Sequence, residues 1–474
     1  MKRLAFSRLA LCVLCGALTT GPILAFADWG PDVRLTYNDS LSEPCLNNAQ
    51  CIGVDSMGWV HLVWRDHRDG NDEVYYKRST DWGTTWEADV RLTKHPSYSR
   101  LPALAIDRMG GVHVAWEDRR VGIRSEIYYK RSTNRGDSWS NDTLLSDPQR
   151  QSWRPAIVAE DSGQIHLIWW DEKPDSSHIY YRRSLDYGVT WEPSRILGDT
   201  LSGQTSIAVD GCGKIHVIGE GLLYYVWSDD HGTTWSREVH LSSATTPATR
   251  PCVVATKNGR VHVVWNDQRN GAYLEVYYKR SEDGGLTWGP DTRMTFSDTL
   301  DESEAVVAED DSGLVHLFYR TTVLGLFYRR STNGGTTWEL PVLLIPQLYS
   351  HRPHVTVDDH RNAHVVWRDG RVFNEEIYYK RWMPPSGIDA LLGGVPFGGS
   401  HHLTTTPNPF TSFATLPGHE AERFSLYDVS GRRVGTYRGD RIGEGLSPGV
   451  YFLKYQEMLK QVQHDEIVRI VKVR

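Results

Sequence analysis

At 474 residues the chain has room for one large domain and a smaller companion. With 52 Lys and Arg against 59 Asp and Glu it carries a formal net charge of −7, and it has no basic block, which argues against a nucleic-acid partner. Its 18 Trp, 23 Tyr and 42 Gly suit an all-β protein packed on aromatic side chains.

The chain opens on Lys2, Arg3 and Arg8, the apolar run LALCVLCGAL and the sequence Ala25-Phe26-Ala27. This is the pattern of a signal peptide spanning 1–27, with a mature chain from Asp28. Loss of its three positive charges takes the net charge to about −10. The run is too short to span a bilayer and no later stretch is long enough, so export without a transmembrane segment is expected. Cys45, Cys51, Cys212 and Cys252 then remain, without a C-x-x-C pair. A zinc site is therefore not expected, whereas Cys45 and Cys51 are close enough for a local disulfide outside the cell.

From there to about residue 383 the sequence repeats. Apolar runs led by histidine recur as VHLVW, VHVAW, IHLIW, IHVIG, VHVVW, VHLFY and AHVVW, on His61, His113, His166, His216, His262, His316 and His364. A second series ends on Trp86, Trp139, Trp191, Trp235, Trp288 and Trp338. Each unit of about fifty residues reads as four short strands, as in PALAID, VHVAW, EIYYKRS and DTLLS, separated by Gly/Asp/Asn turns. Four-stranded units repeated radially are the blades of a β-propeller. DVRLT at 32–36 resembles a closing strand with no unit before it, and the last unit lacks one. Seven blades, closed by the N-terminal strand, satisfy both.

Beyond the propeller at 28–383, residues 384–404 read as a Pro/Gly/Thr-rich linker and 405–474 as a small β-sandwich.

The six polar turns resemble the Asp-box, or BNR, repeat of sialidases and related propellers, S-x-D-x-G-x-T-W. The Asp position is held by Asp81, Asn134, Asp186, Asp230, Asp283 and Asn333, and Ser138 replaces one Thr. The resemblance covers roughly 28–383 and implies the propeller fold; Asp-box propellers include glycosidases, receptors and assembly factors. Asn408-Pro409-Phe410, Tyr427-Asp428-Val429-Ser430-Gly431-Arg432 and Gly449-Val450-Tyr451-Phe452 resemble the C-terminal sorting domain of the type IX secretion pathway. That likeness implies outer-membrane secretion machinery as a partner and a secreted or cell-surface protein.

A turn present six times cannot be the one active site of a monomer, so the Asp box reads as a structural stitch on the face away from the ligand. The seven histidines and the Tyr-Tyr pairs read as packing. Asp66/Arg68, Asp118/Arg120, Asp267/Arg269 and Asp369/Arg371 read as exposed ion pairs of little worth each.

Chemistry belongs where the repeats differ. Twelve residues before each strand-two histidine stand Ala49, Leu101, Arg154, Gln204, Arg250, Glu304 and Arg352, with Arg100 beside Leu101. These positions begin strand one and should ring the channel mouth, placing Arg250, Glu304 and Arg352 side by side. Three readings stay open at this point: an Arg–Glu–Arg cluster that merely closes the channel, a cup for a glycan or surface protein gripped by arginine forks, or a sialidase-like glycosidase. Sialidases use an arginine triad, a Tyr–Glu pair and an acid/base Asp. Glu304 is the candidate catalytic carboxylate, but flanking arginines would keep it ionised and no second carboxylate is evident beside it. No motif requires a cofactor or metal, and the protein is expected to be monomeric.

Overall fold

The computed structural model describes residues 29–45, 50–173, 176–198, 200–201, 203–297, 299–347, 349–372 and 374–384, together with 423–428, 433–438, 440–442, 447, 449–455 and 467–472. Residues 29–383 form one compact unit of seven antiparallel blades. The second blade shows the plan: Ser99–Ile106, Val112–Asp118, Glu126–Ser132 and Thr143–Leu144 pair in chain order from axis to rim. Both faces of each strand meet neighbouring blades, so Val112–Asp118 and Val261–Asp267 are buried throughout. Trp64, Trp116, Trp169, Trp265 and Trp367 are fully buried at one repeat position of strand two.

The ring closes as the repeat count demands. Val33–Arg34 pairs with the third strand of the last blade, Asn374–Trp382, in the register Val33↔Tyr379 and Arg34↔Tyr378. The side chains confirm the equivalence. Lys77, Lys130 and Lys279 bind Asp89, Asp142 and Asp291 of their own outer strands; Lys380 binds Asp32, the first residue of DVRLT, at 2.7 Å. Trp29 packs edge-on against Tyr328 (5.2 Å between centroids), taking the place of the Asp-box Trp that the last blade lacks.

The Asp box is a stitch between blades. In the first copy Ser79 Oγ accepts from Gly83 N (2.8 Å), while Asp81 accepts from Thr85 N and Thr85 Oγ1 (both 2.7 Å). Asn134 and Asn333 keep the geometry, accepting from the backbone N–H of Ser138 and Thr337 and donating to their hydroxyls at 2.9 Å. The box glycine then seats on a tyrosine of the preceding blade. A Cβ on Gly188 (φ 74°) would lie 1.9 Å from Tyr129 Oη, and Trp191 meets the same ring edge-on. That tyrosine hydroxyl is hydrogen-bonded in turn to Nδ1 of the strand-two histidine, at 2.6–2.8 Å in all seven blades. In several blades the other ring nitrogen meets a carboxylate at the end of strand one, as in His113 Nε2 to Asp107 (3.0 Å) and His166 Nε2 to Glu160 (2.8 Å). Each histidine is a buried packing group held through Nδ1, although Nε2 of His61, His216 and His316 has no hydrogen-bond partner.

The Asp/Arg pairs differ from the sequence expectation. Asp66, Asp118, Asp267 and Asp369 are fully buried, not exposed. Asp66 also accepts from Trp64 Nε1 (2.8 Å) and Ser42 Oγ (2.9 Å), and Arg68 continues to Asp89 (2.7 Å) while stacking on Tyr75. These are buried, multiply bonded networks that fix the hairpin between strands two and three.

The C-terminal unit is described separately. Arg433–Arg438, Arg423–Asp428, Gly449–Tyr455 and Ile467–Lys472 form, in that order, a four-stranded antiparallel sheet. No second layer is present among the described residues. Residues 1–27, the linker from 385 on and Asn408-Pro409-Phe410 lie outside them. Among the described residues no helix is long and apolar enough to cross a membrane.

Candidate functional site

Five blades carry a bulge at the start of strand one, with register breaks between Arg100 and Ala103, Trp153 and Ala156, Thr249 and Cys252, Ser303 and Val306, and His351 and His354. The extra residue is the one counted back from the histidine. Leu101, Arg154, Arg250, Glu304 and Arg352 all take a left-handed backbone, with φ between 50° and 57°. Non-glycine residues held there cost about 1–3 kcal/mol each, and a bulge re-aims its side chain. Pro102, Pro155, Pro251 and Pro353 follow four of them, where the interrupted ladder needs no N–H. The repeated Arg-Pro is thus blade architecture that leaves the arginine at the mouth.

A second column completes the mouth. The residue before each bulge pairs with one near the end of strand two: Arg100↔Glu117, Trp153↔Trp170, Thr249↔Asn266, Ser303↔Arg320 and His351↔Arg368. Arg65 and Glu220 hold the same position in the first and fourth blades. In the first blade the partner is Glu43, delivered by an extra strand Ser42–Glu43 (register Glu43↔Arg65), whereas Ala49 lies outside the described residues. In five blades the strand-two column stands between a Trp and an Asp, and its variability against those repeated flanks is the sequence mark of the column, although Arg320 itself lies between Tyr319 and Thr321.

The mouth divides into two arcs. From the fourth blade round to the first, carboxylates bridge neighbours. Glu220 accepts from the backbone N–H of Gln204 (2.9 Å) and Arg250 (3.0 Å). Glu304 accepts from Arg250 Nη1 (2.6 Å) and from the backbone N–H of Arg352 (2.7 Å). Glu43 takes Arg65, Arg352 and Arg368 together. The expected Arg–Glu–Arg cluster is therefore half formed: Arg250 reaches Glu304 through its guanidinium, but that of Arg352 turns to Glu43. Across the second and third blades the character changes. Arg100 binds Glu117 (2.9 Å) and stacks on Tyr98, while Arg154 lies over Trp170 (5.6 Å), itself edge-on to Trp153.

Burial pushes the Glu304 carboxyl up, but the Arg250 guanidinium, the Arg352 N–H and Arg320 outweigh it and hold it below its ordinary value. It is an anion, not a proton donor. His351 is pushed down to about 4 by burial and by Arg320, so its imidazole is neutral at pH 7. Arg352 is brought down to about 9, first by burial and then by Arg368. Arg320 differs from its neighbours. Arg65, Arg100, Arg250, Arg352 and Arg368 are all ion-paired, whereas Arg320 makes no ion pair with any described residue and its buried Nε has no hydrogen-bond partner.

Below the mouth runs an axial cavity of about 290 Å³, lined by strand-one residues of all seven blades, among them Ile106, Ile157 and Val253. Cys45 and Cys51 are buried, unbridged in this structure, and stand beside His354. Of the residues foreseen for the mouth, Gln204, Arg250, Glu304 and Arg352 are brought together in one bonded arc, and Arg100 and Arg154 stand in the other. Glu43, Glu220, Arg320, His351 and Arg368 are added by the fold.

Residues 118–344 match the BNR repeat-like domain family. No curated protein matches the chain. Among solved structures, an ulvan lyase, a polysaccharide lyase bound to -[GlcA(1-4)Rha3S]-, is 13% identical, with 74% of this chain and 95% of that chain covered and a TM-score of 0.52. A fungal alcohol oxidase in complex with copper is 12% identical over 94% of this chain and 100% of its own, also at 0.52. A Hadza microbial sialidase is 17% identical over 68% and 73% of the two chains, at 0.41. At these identities the likeness to the ulvan lyase and the alcohol oxidase is one of fold alone.

Proposed function

We propose that this protein is an exported recognition propeller whose channel mouth binds an anionic glycan. Arg320 carries the reading. A half-buried guanidinium that makes no ion pair and feels only the more distant charge of Glu304 gains from an anion that completes it, and a carboxylate or sulfate fits its planar fork. The opposite arc supplies what a sugar ring uses: the indoles of Trp153 and Trp170, with Arg154 alongside. The ulvan lyase of the same fold is bound to a glycan bearing a uronate and a sulfate, which is compatible chemistry.

The sialidase-like alternative finds less support. Glu304 is held ionised, so it suits a salt bridge better than an acid. The Tyr–Glu pair at the mouth, Tyr98 and Glu117 at 3.5 Å, has its carboxylate engaged by Arg100 and Ser125. A purely structural surface protein would leave Arg320 unexplained. The leader at 1–27 and the tail from 405 fit export through an outer-membrane pathway.

The test is a panel of uronate-bearing, sulfated, sialylated and neutral glycans presented to the full chain and to Arg320→Ala. We expect anionic glycans to bind, neutral ones not to, and Arg320→Ala to lose at least tenfold in affinity without losing thermal stability. Release of a sugar during the same incubation would make the protein an enzyme. Binding that ignores charge, or survives Arg320→Ala, would overturn the site.

A further inference from the structure

The axial wall holds a second group of chemistry-bearing residues, at the seam where the first blade meets the last. Ten residues before each strand-two histidine stand Cys51, Ala103, Ala156, Ser206, Cys252, Val306 and His354. The structure keeps that register, since Ala103, Ala156, Ser206, Cys252, Val306 and His354 all pair with the residue two beyond the histidine. Around the ring this column is small or apolar, as close blade packing requires. Only at the seam do two adjacent members, Cys51 and His354, both carry metal-binding atoms. A third comes from outside the repeat: Cys45, placed by the same excursion that delivers Glu43.

We propose that Cys45, Cys51 and His354 bind a thiophilic divalent cation, zinc foremost, which clasps the first blade to the last. One ligand atom from each residue lies within 4.8 Å of the others, and all three residues are buried. Two thiolates and a neutral imidazole around a dication sum to zero charge, which a buried site can hold. His354 Nε2 donates to the Cys45 carbonyl at 3.2 Å, which fixes the tautomer, and the imidazole also meets the Cys51 thiol, a contact that an ion would replace. His354 also lines the axial cavity, from which water could complete a tetrahedral set. A disulfide would use the same two sulfurs but give the histidine no part. The absence of C-x-x-C spacing does not exclude such a site, because the third ligand lies 309 positions after Cys45.

The experiment is metal analysis of the unaltered full chain, as purified and after zinc addition and dialysis, with thiol titration of the denatured, unreduced protein. We expect about one tightly held equivalent of zinc and titratable thiols. Cobalt should occupy the same site with a thiolate-to-metal absorption band. Cys51→Ser and His354→Ala should each lose the metal. Cys252→Ser, altered at the same repeat position away from the seam, should keep it. Chelation should lower the Tm of the native chain. Absence of stoichiometric zinc, a missing pair of thiols in the unreduced protein, or equal loss in Cys252→Ser would each overturn the proposal.

Discussion

The two faces of the propeller are built from the same strands and obey opposite rules. On the Asp-box face six turns repeat one set of hydrogen bonds, each glycine seated on the tyrosine of the blade before it, so every copy performs the same structural task. At the mouth the same strands place residues that vary from blade to blade, several on a left-handed backbone at a bulge. Repetition marks what holds the ring, and variation marks what the ring presents. Both faces carry left-handed backbone: Leu101, Arg154, Arg250, Glu304 and Arg352 in one column at the mouth, and Trp82, Arg135, Tyr187 and His231 each beside an Asp-box glycine that takes positive φ without penalty.

The largest effect that separates the faces should be acid lability of the Asp-box side. His61, His113, His166, His216, His316 and His364 are all pushed below their ordinary value of 6.5, by burial first, and His316 to about 3. Below pH 6.5 the unfolded chain therefore binds protons that the folded one refuses. Stability that is full above pH 6.5 should fall as pH drops toward 3, which thermal melts across that range would show. A melting temperature flat from pH 7 to pH 4 would contradict the buried, neutral histidines. Next, Gly188→Ala should cost about 2–5 kcal/mol, the left-handed penalty plus overpacking on Tyr129, measured by denaturant unfolding.

Mouth substitutions should be milder and should divide by role. Glu304→Gln removes the charge that holds Arg250 and should cost about 1–3 kcal/mol. If the glycosidase reading were right, it would also abolish turnover with the fold intact. Arg154→Gly relieves a left-handed backbone and should raise stability by about 1 kcal/mol while weakening glycan binding. A loss of stability there would mean that Arg154 is structural and would blur the contrast between the faces. The smallest effect belongs to Asp186→Asn, within about 0.5 kcal/mol, because Asn134 and Asn333 already show that an amide completes the turn.

Much of this plan is legible in the sequence, because a repeat supplies its own alignment. Blade number, the closing role of DVRLT, the Asp box as a stitch, and the column of Leu101, Arg154, Arg250, Glu304 and Arg352 all follow from counting. What escaped counting depends on pairing. Arg320 and Arg368 reach the mouth because antiparallel pairing sets the end of strand two beside the start of strand one, opposite Ser303 and His351, and the count back from the histidine followed strand one alone. Glu43 and Cys45 lie where the first unit departs from the repeat, so no register predicts them. The burial of Asp66 and its relatives was hidden for another reason: a short Asp–Arg motif looks the same whether water or a Trp indole completes it.

The pairing of Val33–Arg34 with Asn374–Trp382 has a kinetic and mechanical consequence. Six blades are assembled from neighbouring segments of chain, but the seventh needs partners more than three hundred residues apart, so ring closure should be the slowest native contact to form. Loop-closure entropy grows only as the logarithm of length, so a ring this large is little harder to shut than a smaller one. The same joint should be the first to open under load. Tension applied between the first and last strands of the propeller would peel one short strand and release the circle while the other six blades still held their hydrogen bonds.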